Sequence, residues 1–146
     1  MKITSKSEYA CLAMMELAAN HAGGQPTRIK TIADNHNIQP RFLVQVLLQL
    51  KTHGLVSSVR GAAGGYVLAH GPEQISLADV LQAVDDRDPL PLRRNKEKRE
   101  PSSPAVNALR GVWKEIQEEE QRLLKSLSLA DLLRRSESTP DLSYQI

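Results

Sequence analysis

The sequence predicts a mainly α-helical protein with one small hairpin and a long helix near its C-terminus. Three observations predict it. Aromatic residues make up only 3% of the chain, so the core has to be built from Leu, Val, Ile, Ala and Met, which suits helices packed on helices. Apolar residues recur at helical spacing in most of the chain. Two short β-prone runs flank one glycine-rich loop in "SSVRGAAGGYVLAH", residues 57–70.

The elements follow in order. Residues 5–20, "SKSEYACLAMMELAAN", read as a helix of strong formers, with Ser5 or Ser7 as its cap. "HAGGQP" breaks it. Ile29, Ile32 and Ala33 then follow i, i+3, i+4, a short helix with Thr27 as its N-cap. After the turn-like "NHNIQP", Pro40 opens and Gly54 closes a helix whose apolar stripe is Phe42, Leu43, Val46, Leu47 and Leu50. The hairpin pairs "GLVSSVRG" with "GGYVLA". Residues 75–86 form another short helix capped by Ser76.

Residues 87–104 carry four prolines and a dense charge mixture, which reads as an exposed loop. A long helix follows over 105–127, with Leu109, Val112, Trp113, Ile116, Leu123, Leu124 and Leu127 on one face. "SLADLLRR" closes the helical part, and residues 136–146 read as a tail. "SLADVL" and "SLADLL" look alike, but each is a capped helix start, so no repeat is inferred. The organisation expected is therefore 1–86, loop 87–104, helical 105–135 and tail 136–146.

The net charge of +2 hides an asymmetry. Residues 1–70 hold seven Lys/Arg against three acids, whereas residues 71–146 hold twelve against fourteen. The basic half points to a polyanionic partner. No apolar run reaches the roughly 18–20 residues needed to cross a membrane. A single cysteine, Cys11, forbids an intramolecular disulfide and fits a reducing cytoplasm.

A short helix, a tight turn, an amphipathic helix and a hairpin make a winged helix-turn-helix pattern. In such a motif the second helix presents its N-terminal residues to base edges, here Gln39, Arg41, Val44 and Gln45. Arg suits guanine, Gln suits adenine, and Val can meet a thymine methyl. The alternative is an ordinary helical hairpin with solvated polar residues. In the wing, Arg60 can enter a minor groove and the loop glycines can approach phosphate. The alternative there is a plain hairpin with Arg60 in solvent. The catalytic signatures G-x-S-x-G, P-loop and H-E-x-x-H are absent. "GAAGGY" lies between two strands, whereas a dinucleotide loop leads into a helix. No enzymatic activity is expected.

"MKITSKSEYACLAMMELA", "IADNHNI", "FLVQVLLQLKTHGLVSSVRGAAGGYVLA" and "ISLADVLQAVDD" together resemble the Rrf-two family of bacterial winged-helix regulators. The resemblance implies a homodimeric transcriptional regulator, a repressor, bound to a palindromic double-stranded operator. It implies base contacts by Arg41, Val44 and Gln45, a minor-groove contact by Arg60, and phosphate contacts by Thr4, Lys6, Tyr9, Ser57, Ser58, Gly61 and Tyr66. It places the dimer interface at Leu109, Val112, Trp113, Ile116 and Leu123.

Several relatives hold an iron–sulfur cluster on three cysteines after the fourth helix. Residues 87–104 contain neither Cys nor His, and Asn107 stands where one branch of the family has a histidine. No cofactor and no metal are therefore expected. Cys11 reads as a small core residue and His21, His36, His53 and His70 as turn or surface residues. The tail "LSYQI" is similar to the cluster-free CymR branch, which implies cysteine and sulfur metabolism and cysteine synthase as a partner on the C-terminal region. A protein-interaction module, or a small-molecule sensor with its ligand beside the long helix, are the competing readings.

Overall fold

A computed structural model of the chain describes residues 3–85 and 103–138. Most of the expected loop at 87–104, and the end of the expected tail, lie outside the described residues. Among the described residues six helices and one hairpin follow in order: α1 (Ser5–Ala19), α2 (Ile29–His36), α3 (Pro40–Thr52), β1 (Val56–Val59), β2 (Gly65–Leu68), α4 (Leu77–Ala83), α5 (Pro104–Ser126) and α6 (Leu129–Ser138). A single 3₁₀ turn, Pro72–Gln74, lies between β2 and α4.

Helix α1 is the centre of the core. Ala10, Ala13, Met14, Leu17 and Ala18 are buried, and their small size lets α3, α4 and α6 close on it from several sides. Its cap is Thr4, whose hydroxyl accepts the Ser7 amide at 3.1 Å. The expected caps Ser5 and Ser7 lie inside the helix, one residue or more too late to have the extended backbone a cap requires.

Thr27 departs from its expected capping role. It does not cap α2; Arg28 holds that position, with no side-chain cap bond. Thr27 instead pairs with Tyr66 in a two-bond antiparallel bridge, each N–H donating to the other's carbonyl at 2.9 Å. Its hydroxyl, buried with the rest of the residue, accepts from Asn20 Nδ2 at 2.9 Å. A β-branched residue with a short polar tip is well suited to such an edge. The bridge adds a rudimentary third strand to the hairpin and fixes it beside the helices.

Between α2 and α3 the chain turns at Asn37, in the left-handed region at φ 53°, where a short polar side chain is tolerated. Ile38 then drops into the core. Helix α3 begins at Pro40 and ends in a Schellman motif. Leu55 N–H donates to Leu50 O and Gly54 N–H to Lys51 O, both at 3.0 Å, with Gly54 at φ 76°. Leu43, Val46, Leu47 and Leu50 are buried as the stripe predicts, but Phe42 is exposed. At 100° per residue Phe42 lies about 40° outside the arc that runs from Val46 through Leu50 and Leu43 to Leu47.

The C-terminal helices return to this core. Leu129 is fully buried in the same cluster as Met14, Leu43 and Val80. Helix α6 runs to Ser138, so residues 136–138 of the expected tail are helical. The two "SLAD" segments meet. Ser76 and Ser128 form an antiparallel bridge, with Leu77 N–H donating to Leu127 O at 2.8 Å and Leu129 N–H to Ile75 O at 2.9 Å. Each serine also makes a reciprocal capping box with its aspartate, Asp79 or Asp131. Helix α4 is shorter than the expected 75–86 because Ile75 and Ser76 are spent on this bridge and cap.

Candidate nucleic-acid interface

On α3, residues 41, 44, 45 and 48 fall within an arc of roughly 100° opposite the buried stripe, at 100° per residue. Arg41, Val44, Gln45 and Leu48 are all exposed. Val44 and Leu48 stand 44% and 58% open, one turn apart on that face. The Arg41 guanidinium lies 6.0 Å from the centre of the Phe42 ring, which holds the exposed ring and the charge together at the start of α3. Gln39, at the N-cap, is exposed beside them.

The wing is joined to both helices of the helix-turn-helix. Lys51 Nζ, at the end of α3, donates to Ser58 Oγ at 2.9 Å. Arg28, at the start of α2, donates from its guanidinium to the Ala62 carbonyl at the loop tip. Within the hairpin Ser57 pairs with Val67 and Ser58 with Tyr66. Ser57, Ser58, Arg60 and Gly61 are exposed, and Tyr66 is half-buried against the core. A serine hydroxyl that accepts from Lys51 still has its own proton to donate outward.

The loop glycines are explained by the protein's own backbone. A Cβ on Gly64 would lie 2.1 Å from Val59 O, and one on Gly65 would lie 2.3 Å from Thr27 O. Gly61 has φ 107° and open space around it. Two of the three glycines therefore allow the chain to pack on itself, and Gly61 is the one that faces outward.

At the other end of α1, Thr4, Lys6 and Tyr9 have different surroundings. Tyr9 is half-buried against the core. Thr4 and Lys6 line an open cleft of about 790 Å³ between the start of α1, α4 and α5, with Leu81, Val84, Glu120 and Leu124 among the other walls. On α5, Leu109, Val112, Trp113, Ile116 and Leu123 are each at least half exposed, whereas Leu124 turns inward and is buried. The expected common face thus divides: Leu124 packs inward, Leu127 is half-buried at the C-cap of α5, and the other five form an outer stripe.

The sequence pattern did not single out Arg28, Lys51 or Leu48. Arg28 and Ala62 are 34 residues apart, and no local spacing signals their contact. Leu48 was legible: it continues the 41/44/45 progression by one turn. His36 departs from the turn or surface role expected of it. It is half-buried, with Nε2 2.9 Å from Glu16 Oε1 on α1, so it ties α2 to α1 instead of lying free at the surface. Asn35 donates to the same carboxylate oxygen at 3.2 Å.

The residues present do not fit a thiolate-held cluster. Cys11 is the chain's single cysteine. Burial and the nearby Glu8 carboxylate push its thiol up to about 11, so it stays protonated at neutral pH. Among the described residues no three His, Cys, Asp or Glu side chains converge as a metal site. No described helix is long and apolar enough to cross a membrane.

Residues 3–135 match the family model described as "Rrf2: Iron-dependent Transcriptional regulator". The chain is 36% identical over 132 residues to the HTH-type transcriptional regulator CymR of Bacillus subtilis, covering 90% of this chain and 89% of that one. It is 32% identical to the HTH-type transcriptional regulator IscR of Xenorhabdus nematophila, covering 94% and 82%. The solved structure of CymR (YrzC), the global cysteine regulator of B. subtilis, superposes with a TM-score of 0.77 at 34% identity, covering 92% of this chain and 98% of that one. T. potens IscR superposes with a TM-score of 0.78 at 29% identity, covering 99% and 96%. A helix-turn-helix followed by a tethered wing, with this breadth of likeness, settles the kinship: the chain belongs to the Rrf2 family of winged-helix transcriptional regulators.

Proposed function

We propose that the protein is a homodimeric, sequence-specific repressor that acts by stoichiometric binding to a palindromic operator, without an iron–sulfur cluster. Helix α3 enters the major groove, where Arg41, Val44 and Gln45 read base edges. Arg60 enters the adjacent minor groove, where a narrow groove concentrates negative potential. Thr4, Lys6, Tyr9, Ser57, Ser58, Gly61 and Tyr66 contact phosphates and set the register.

The observation that carries the reading is the tethering of an exposed wing to an exposed α3 face by Lys51–Ser58 and Arg28–Ala62. Two groove-reading elements held in fixed relation are what a winged-helix reader needs. Dimerisation is supported by the outer stripe of α5. Val106, Leu109, Trp113, Ile116 and Leu123 fall on a and d positions of one heptad register, and all are exposed. A stripe of that kind on a lone chain is an interface awaiting a partner. The lack of a cluster is supported by the single cysteine and its protonated thiol.

Selection of bound duplexes from random DNA tests the reading. A two-fold symmetric site is expected, with affinity falling steeply as salt rises. Recovery of no enriched sequence would refute it. Repression itself is tested by transcription from a promoter overlapping that site. A second reading, a cysteine-responsive regulator with cysteine synthase docked on the C-terminal region, is favoured by the 36% identity to CymR. Deletion of residues 136–146 should then abolish cysteine synthase binding and leave DNA affinity unchanged.

A further inference from the structure

We propose that Leu48 extends the base-reading surface, and that Val44 and Leu48 together form an apolar reader of pyrimidine 5-methyl groups. The inference rests on the reading of α3 as the major-groove helix. Leu48 is the most exposed residue of the pair at 58%, against 44% for Val44, and it lies one turn further along the same face. Nothing in the fold requires either side chain to be apolar. The core stripe on α3 is complete without them, as Leu43, Val46, Leu47 and Leu50 are all buried. Two bare aliphatic groups on the outward face of a helix are a cost in water unless something apolar covers them.

The major groove offers one apolar group, the methyl of thymine. One helical turn separates the two side chains by about 5.4 Å along the axis. Base pairs are stacked every ~3.4 Å, so a pair of methyls one or two steps apart matches that span. The polar neighbours on the same arc, Arg41 and Gln45, leave the apolar pair on one side of it. Lys51, a turn beyond Leu48, is held towards the wing by Ser58 and does not cover Leu48. The face is continuous with Arg41 and with the tethered wing, which favours duplex DNA as its occupant over a protein surface.

The test uses the full chain and duplexes carrying the sequence recovered by selection. Each thymine of the half-site is replaced in turn by uracil, which removes the methyl alone. Burial of one such group is worth about 0.8 kcal/mol, so uracil at a contacted position should weaken binding about fourfold per half-site. Leu48→Ala should bind thymine and uracil duplexes equally at one such position, and Val44→Ala should do so at a second. Cytosine there should bind more weakly than 5-methylcytosine by a similar factor. The proposal is overturned if no uracil substitution weakens wild-type binding, if the site has no thymine in the half-site, or if Leu48→Ala keeps full methyl sensitivity at every position. Sequence-specific binding with no methyl effect refutes this inference alone, while the absence of any specific site refutes the DNA reading beneath it.

Discussion

Gly65→Ala strikes the contact between the wing and the Thr27 bridge. The new Cβ would sit 2.3 Å from Thr27 O, 2.6 Å from Thr27 C and 3.0 Å from Arg28 N. All three atoms are backbone, so no side chain can swing aside. Relief requires the Thr27 strand to move away from β2, and that breaks both 2.9 Å bonds of the Thr27–Tyr66 bridge. Overpacking of this kind costs about 1–3 kcal/mol, and each lost backbone bond about 1 kcal/mol net. The total expected is about 2–4 kcal/mol, because the strand gives up the bridge in place of enduring the full clash. Gly24→Ala is the control: its φ is 69°, but nothing lies within 4 Å of its Cβ. Only the left-handed backbone penalty applies there, about 1–2 kcal/mol. Amide hydrogen exchange separates the two. Tyr66 N–H, which donates to Thr27 O, should exchange about 30- to 700-fold faster in Gly65→Ala than in wild type, with Leu47 and Leu50 amides far less affected. If Tyr66 protection is unchanged, the bridge does not hold the wing and the reasoning fails.

Other expectations concern separate parts of the molecule. Ile116→Asp places a carboxylate in the α5 stripe of both subunits of the proposed two-fold dimer. Losing two apolar contacts of about 1.5–3 kcal/mol each should raise the dimer Kd about 10²–10⁴-fold, read by sedimentation equilibrium, and a dimer of undiminished strength would remove α5 from the interface. Leu129→Ala empties a fully buried site and should cost about 2–5 kcal/mol in urea unfolding; a loss below 1 kcal/mol would mean that α6 is not part of the cooperative core. Arg60→Ala should weaken binding most where the flanks are A·T-rich, and equal losses on all flanks would make Arg60 a phosphate ligand. Cys11 should resist iodoacetamide in the folded protein below about pH 11 and react readily once unfolded. The folded thiol titrates above its ordinary value of 9.0, so its contribution to stability is fully present below pH 9 and is lost as pH rises towards 11.

What the sequence made legible divides by range. Helices α3 and α5 and the hairpin are visible because period and punctuation agree: Pro40 and Gly54 bracket one, the apolar spacing from Leu109 to Leu123 marks another, and Gly61 and Gly64 mark the turn; the sequence reads the N-cap Ser103 and the opening Pro104 of α5 as the end of the loop. Thr27 was misread because its capping propensity is local, while its partner is Tyr66, 39 positions on. A threonine before a helix and a threonine in a β-bridge share the same extended backbone, and only tertiary pairing decides between them. The bareness of the glycine loop has a tertiary cause of the same kind: whatever the loop approaches, Gly64 and Gly65 have to be small because the Val59 and Thr27 carbonyls pass beside them. Of the candidate site, the outward face of α3 was readable from helical spacing, whereas the Arg28 and Lys51 tethers depend on contacts that no local pattern announces.

The paired "SLAD" segments show how two local signals acquire a joint meaning. Each alone is a capping box that starts a short helix, worth about 1 kcal/mol to its own helix. Folded, the two starts lie antiparallel and exchange backbone bonds through Leu77–Leu127 and Leu129–Ile75. Ile75 and Leu129 on either side of that bridge are buried in the core that also holds α1 and α3. The end of the long α5 helix is therefore not a free appendage: the bridge begins at Leu127, immediately after its last residue, and Leu124 packs inward just before it. A dimer formed along the outer stripe of α5 would consequently fix the orientation of each reading head, since the helix that carries the stripe is tied by backbone bonds to the core that carries α3. The spacing between two recognition helices, and so between operator half-sites, would then be a property of this bridge as much as of the α5 stripe.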